Sequence, residues 1–185
     1  MTFILRDATP SDVPAITAIY RESVLNGTAS YEIDPPQEEE MAKRFSATTE
    51  NGYPYIAAVD EAGTLIGYAY ASAFRTRPAY RFLVEDSIYL APEAQGRGLG
   101  KALLQALIIR CTARGFRQMV AVIGGAHPAS VALHAALGFR DAGILKGAGY
   151  KHGRWLDTAF MQIELGDGFQ TEPEAGSYPD TLYRR

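Results

Sequence analysis

Gln95-Gly96-Arg97-Gly98-Leu99-Gly100 joins a strand-like run, Asp86-Ser87-Ile88-Tyr89-Leu90, to a run from Lys101 that reads as a helix. In that helix Leu103, Leu104, Leu107, Ile108 and Cys111 recur on one face, the spacing of an amphipathic helix against a core. Three glycines at a strand-to-helix turn let the backbone approach a ligand closely. The free N–H groups of the helix start then point at that ligand, and the helix dipole favours an anion there. The stretch reads as a phosphate or pyrophosphate cradle; the other reading is a glycine-rich turn with no ligand. Two familiar cradles do not fit. Gly100-Lys101 is followed by Ala102, which lacks the hydroxyl a P-loop gives to magnesium, and Gln95 stands where that loop begins with glycine. The glycines at 96, 98 and 100 also miss the dinucleotide spacing by one residue.

Composition narrows the class. The chain has 185 residues, 47% of them hydrophobic, enough for one globular domain with a sizeable core. Its net charge is −3 with no polybasic block, so no nucleic-acid partner is expected. The single cysteine, Cys111, lies on the apolar helix face and reads as a buried structural thiol. His127, His134 and His152 are scattered without ligand spacing, so no metal is expected. No apolar run approaches a membrane span, and Met1-Thr2-Phe3-Ile4-Leu5-Arg6-Asp7 lacks a signal-peptide layout. A cytoplasmic protein without a membrane partner is the expectation.

Working outward from the glycine stretch, the order of elements is β-α-α-β-β-β-α-β-α-β-β. Residues 3–6 form a first strand. Thr9-Pro10-Ser11-Asp12 announces a helix, with Thr9 at the N-cap and Pro10 behind it. Val13, Ile16, Ile19, Tyr20 and Val24 are its buried stripe, and Asn26-Gly27-Thr28 ends it. A short helix is expected over 37–45. Strands are expected over 55–59, 65–71 and 82–90, the last delivering the chain into the glycine stretch. After the central helix come a strand over 118–123, interrupted by Gly124-Gly125, a helix over 128–137, and strands over 139–144 and 155–165. Residues 1–165 read as one α/β domain and 166–185 as a loosely held or docked tail.

Gln95, Gly98 and Gly100 satisfy Q/R-x-x-G-x-G/A. This pattern resembles the acetyl-CoA pyrophosphate loop of the GCN5-related N-acetyltransferases (GNAT), and the element order looks like their fold. Three stretches resemble the phosphinothricin and methionine sulfoximine N-acetyltransferase subgroup: residues 84–90, residues 130–139, and Ala148-Gly149-Tyr150-Lys151-His152-Gly153 with its continuation to Asp157. The resemblance implies a mixed central sheet with splayed strands flanked by helices. It implies acetyl-CoA as cosubstrate, with the loop from Gln95 to Lys101, Arg97 and Leu99 included, at the pyrophosphate. The backbone of Ile88, Tyr89 and Leu90 would pair with pantetheine as an added strand does. His127 stands where the family has an Asn-type residue, and His134 where other superfamily members place tyrosine. The resemblance also implies a homodimer through the late strands, with Tyr150, Trp155 and Phe160.

Acetyl transfer to an amine needs a base for the ammonium, a polarised carbonyl, alignment, and a proton for the departing thiolate. Glu85 is the candidate base. It enters the strand before the loop and, by period two, shares a face with Ser87 and Tyr89. A strand-end carboxylate paired with Arg75 or Arg81 is the other reading. Asp86 points to the opposite face. His134 is the candidate acid, on one helix face with Ser130; the alternative is a histidine bonded to a neighbouring carbonyl. Ser130 would bond pantetheine or steady the helix start. Arg75, Arg77 and Arg81 crowd one loop, where guanidinium forks would hold a carboxylate, or else a solvated loop. The subgroup resemblance implies that Arg75 and Arg77, with Tyr80, Tyr31 and Thr28, hold a small amino-acid-like amine. Transfer to protein N-termini or lysines is a rival reading, and a non-catalytic acyl-CoA-binding module is another.

Overall fold

The structure, a computed structural model, describes residues 2–183. Met1 of the N-terminal stretch and Arg184 and Arg185 of the tail lie outside the described residues. The order of elements is the one expected: β1 (Ile4–Asp7), α1 (Val13–Asn26), α2 (Glu38–Glu50), β2 (Tyr55–Val59), β3 (Leu65–Ala73), β4 (Leu83–Leu90), α3 (Leu99–Ala113), β5 (Gln118–Gly124), α4 (Pro128–Ala135), β6 (Arg140–Lys151) and β7 (Arg154–Glu164).

The residues expected to open α1 form a 3₁₀ turn over Pro10–Asp12 with Thr9 at its N-cap, and α1 itself begins at Val13. The Thr9 backbone N–H donates to Asp12 Oδ2 at 2.7 Å, and Arg6 grips the same carboxylate through two bonds of 2.7 Å. The Arg6 guanidinium, with Thr9, holds the Asp12 carboxyl down to about 2. The buried stripe of α1 is Val13, Ile16, Ile19, Tyr20 and Val24. Helix α2 runs five residues beyond the expected end at Phe45. The Thr48 and Thr49 hydroxyls donate back to the carbonyls of Arg44 and Phe45 within this added stretch.

Seven strands form one sheet in the order β1-β2-β3-β4-β5-β7-β6. Every pairing is antiparallel except β4 with β5, which α3 connects as a parallel crossover. Alternation along β4 divides its side chains between the two faces. Tyr89 meets Tyr20 of α1 edge-on at 5.0 Å and stacks on Tyr68 at 5.3 Å, which places Glu85, Ser87 and Tyr89 on the α1 face. Leu90 packs beside Gly67, Leu99 and Gly100, which places Asp86, Ile88 and Leu90 on the α3 face. Leu103, Leu104, Leu107 and Cys111 of α3 are fully buried, at about 1.5–3 kcal/mol for each large side chain. Burial pushes the Cys111 thiol up to about 12, as an inert structural thiol requires.

The last strand, β7, keeps its expected length, shifted by one residue, but β6 is longer than expected. β6 reaches Lys151 rather than 144, because it is an exposed edge strand whose glycines at 143, 147 and 149 interrupt any alternation. The tail after Leu165 lies along the chain's own domain. Tyr53 Oη donates to the buried Asp180 at 3.0 Å, and Arg117 donates to Thr171 at 2.9 Å. Tyr183 Oη donates to the carbonyl of Arg75.

Candidate active site

The site follows from one break in the sheet. β4 and β5 pair over only three rows, Leu83 with Gln118, Val84 with Met119 and Glu85 with Val120. Beyond Glu85 both strands continue without pairing to each other. A cleft of about 780 Å³ enters this gap. Its floor is the freed backbone of Ser87, Ile88, Tyr89 and Leu90 on one side and of Ala121, Val122 and Ile123 on the other.

Gln95, Gly96, Gly98, Gly100 and Lys101 line one end of the cleft. Gly98 is the N-cap of α3 at φ 81° and Gly96 sits at φ 69°, both left-handed. A Cβ at either would meet nothing within 4 Å, so both face open space. Helix α3 has no side-chain cap and no acidic residue in its first turn, whereas α2 opens on Glu38-Glu39-Glu40. A lysine at a helix start runs against the dipole unless an anion sits there. These features fit a pyrophosphate. Two residues expected in the cradle do not line the cleft. Leu99 is 1% exposed, its side chain in the core, and Arg97 is exposed outside the lining set. His127 and Ser130, at the start of α4, line the same cleft.

Glu85 marks the last paired row and faces the α1 side. Burial pushes its carboxyl up to about 7, with the Asp86 charge adding and the Arg75 guanidinium opposing. A carboxylate poised near neutrality suits a general base. Among the described residues no ion pair within 4 Å holds Glu85, so the paired strand-end reading is not what the structure builds.

His134 lies on the opposite face with both ring nitrogens engaged. Nδ1 is 2.7 Å from the carbonyl oxygen of Ser130 and Nε2 is 3.0 Å from Asp86 Oδ2. A carbonyl only accepts, so Nδ1 carries a proton. Burial works against the imidazolium, but the hydrogen bond and charge of Asp86 outweigh it, and the group titrates above the ordinary histidine range. The carbonyl-bonded alternative is therefore present in the structure. Ser130 Oγ lies 3.5 Å from Nδ1, and both residues line the cleft.

Glu22, Asn26, Gly27, Thr28 and Ala29 form the wall on the α1 side. Of these only Thr28 was expected. The overlooked signal is Gly124-Gly125, which reads as an interruption of β5. A Cβ at Gly124 would overlap the Thr28 carbonyl oxygen, so the pair exists to let this wall close on the strand end. Tyr31 is placed differently from the expectation. Its hydroxyl donates to β7, at Asp157 O (3.0 Å), lies 2.8 Å from Thr158 Oγ1, and accepts from the Gly125 N–H at 3.1 Å. It holds the wall from behind and does not line the cleft.

Arg75, Arg77 and Tyr80 also lie outside the lining set. Arg75 stacks on Phe74 at 4.1 Å, close enough to Glu85 to act on its charge, and Tyr80 meets the Phe74 ring edge-on at 6.0 Å. Arg77 is exposed at the start of a short 3₁₀ turn. Arg81 is committed elsewhere, donating to the Ser177 carbonyl of the tail at 3.4 Å. Among the described residues no three His, Cys, Asp or Glu side chains gather as a metal set, and no helix is long and apolar enough to cross a membrane.

Comparison with known proteins places these features in company. The acetyltransferase (GNAT) domain matches residues 5–160. A phosphinothricin N-acetyltransferase of Alcaligenes faecalis is 49% identical over 172 residues, covering 92% of this chain and 85% of that protein. A methionine sulfoximine and methionine sulfone acetyltransferase of Pseudomonas paraeruginosa is 42% identical over 165 residues, covering 89% and 96%. The crystal structure of a phosphinothricin acetyltransferase from Sinorhizobium meliloti, in complex with acetyl-CoA, superposes with a TM-score of 0.97 at 69% identity, covering 100% of both chains.

Proposed function

This chain belongs to the GNAT acetyltransferase family, and from that premise we propose that it moves the acetyl group of acetyl-CoA directly to the α-amine of a small amino-acid-like molecule of the phosphinothricin or methionine sulfoximine type. The observation that carries the reading is the split after Glu85. It sets a carboxylate of near-neutral pKa at the depth where a cofactor running along the freed strands would end.

The roles follow from the two faces of β4. Backbone N–H groups at the start of α3 hold the pyrophosphate, and the freed edge from Ile88 to Leu90 pairs with pantetheine. Glu85 takes a proton from the substrate ammonium, directly or through one water. The amine nitrogen then bonds to the acetyl carbon, the carbon–sulfur bond breaks, and the thiolate leaves. Because His134 Nε2 is committed to Asp86 and Nδ1 to the Ser130 carbonyl, the thiolate takes the second proton that the amine nitrogen sheds as the amide forms, and His134 holds the Ser130 end of α4 in place. An initial-rate matrix with acetyl-CoA and methionine sulfoximine tests this scheme. Intersecting lines are expected for direct transfer in a ternary complex; parallel lines, or no turnover, contradict it.

Arg75 is the guanidinium within electrostatic reach of Glu85, and in this reading it holds the substrate carboxylate, with Arg77 and Tyr80 following on the same loop. Lysine keeps the charge and loses the fork. Arg75→Lys is expected to lower kcat/KM for an α-amino acid by about 1.5–3 kcal/mol more than for the same amine lacking the carboxylate. Equal losses on both substrates would mean that the loop shapes the site without reading the carboxylate.

The chain works as a cytoplasmic homodimer in this reading. Ile144, Leu145, Tyr150 and Trp155 are exposed on the edge pair β6–β7, with Trp155 at 71%. Apolar side chains crowding an open edge mark an interface. Sedimentation at micromolar protein is expected to give twice the chain mass; a monomer would contradict this.

A further inference from the structure

The most distinctive stretch of the sequence, residues 148–157, takes no part in the chemistry above. It is the end of β6, the turn and the start of β7, and it lies against residues 27–31, the segment that leaves α1. Lys151 is 5% exposed, and its Nζ donates to the Ser30 carbonyl at 2.7 Å. His152 Nε2 lies 3.1 Å from the Gly27 carbonyl, so that nitrogen carries the proton. Gly149 passes under the Tyr31 ring, where a Cβ would sit 2.6 Å from the ring. His152 holds φ at 52°, a left-handed conformation that a side chain rarely adopts.

Burying an ammonium and holding a histidine left-handed both cost free energy, and they persist where the surroundings demand them. The demand is visible in the segment itself. Residues 27–31 belong to no helix or strand, so no regular ladder holds them. Their carbonyls still need donors once they leave water. Consecutive residues of one turn supply two of those donors, to carbonyls three residues apart. The same segment, through Gly27, Thr28 and Ala29, walls the cleft on the face of β4 that Glu85 occupies.

We infer that Lys151 and His152 are positioning residues for the acceptor amine: by gripping the Ser30 and Gly27 carbonyls they fix the wall at 27–29 against Glu85. The inference rests on the reading above that the Glu85 face is the amine side. It gives the Gly-Tyr-Lys-His-Gly turn a role at a distance, with no contact to either reactant.

Two variants test it. Lys151→Met keeps the stem and removes the donor, and His152→Gly keeps the left-handed turn and removes the ring. Amide hydrogen exchange at 27–31, amine KM and kcat, and acetyl-CoA affinity by calorimetry are the readouts. Lys151→Met is expected to speed exchange at 27–31 and to raise amine KM about tenfold, while acetyl-CoA affinity stays within about twofold. His152→Gly, whose ring is exposed, is expected to move the same readouts by about two- to threefold, and it carries the test if Lys151→Met does not fold. Unchanged exchange together with unchanged amine KM would overturn the inference and leave the reaction as proposed. Faster exchange with unchanged amine KM would overturn it by showing that this wall is not on the amine side. Equal weakening of both substrates would reduce the grip to general stability.

Discussion

Glu85→Gln is expected to fold, to bind acetyl-CoA with wild-type affinity, and to lose about 10²–10⁴-fold of its turnover at neutral pH, the usual contribution of a general base. Glutamine keeps the shape of the last paired row of β4 and β5 but cannot take a proton from an ammonium. The wild-type rate should rise as the carboxyl ionises through a pKa of about 7, and this limb should vanish in the variant. The defect should shrink at high pH, where more of the amine is already neutral. Stability should move the other way. The Glu85 carboxyl titrates higher in the fold than in the unfolded chain, so the folded state holds the extra proton between about 4.5 and about 7, and wild-type stability falls as pH rises through that window. Glu85→Gln removes the fall, so thermal melts above pH 7 should show the inactive variant more stable than the active one. A near-wild-type rate at neutral pH would move the base to another group.

The second large effect is expected at Gly98. Gly98→Asp puts a side chain into the space where no atom lies within 4 Å, on a residue held at φ 81°, at an uncapped helix start. The carboxylate would stand among the N–H groups that receive pyrophosphate. Losing two charge-assisted hydrogen bonds there corresponds to about 3–6 kcal/mol, so calorimetry should show acetyl-CoA affinity falling by at least about a hundredfold. Gly98→Ala separates the causes: it carries the left-handed strain without the charge and should lose far less. The open surroundings predict that the fold survives both changes. A folded Gly98→Asp protein with unchanged affinity would remove the cradle from the account.

What was legible in the sequence is what short-range physics writes there. The stripe of α1 is spaced for a helix, Thr9 and Asp12 have cap chemistry, and period two alone separates Glu85 from Asp86. The glycine stretch shows its open backbone because left-handed residues at a helix start leave few choices but glycine. Contacts across long separations were not legible. Tyr31 carries no mark of its bonds to residues 157 and 158, and Gly149 gives no sign that it lies under the Tyr31 ring. Period two puts Asp86 on the face opposite Glu85 but gives no sign of its bond to His134, 48 positions away. The split of β4 from β5 was reachable only through family resemblance, since nothing in either strand forbids continued pairing. The arginine loop shows the opposite failure. Charge crowding put Arg81 among the substrate candidates, and the structure gives it to the tail.

The most direct test of the account is a thiol-release assay with acetyl-CoA against one panel of amines: phosphinothricin, methionine sulfoximine, methionine sulfone, unmodified amino acids, and peptides beginning with alanine or carrying lysine. The account predicts turnover on the free amino-acid-like amines, strongest on those with a second polar group beyond the carboxylate, and none above background on the peptides. Turnover on the peptides with none on the free amino acids, or no thiol release with any amine, would contradict it.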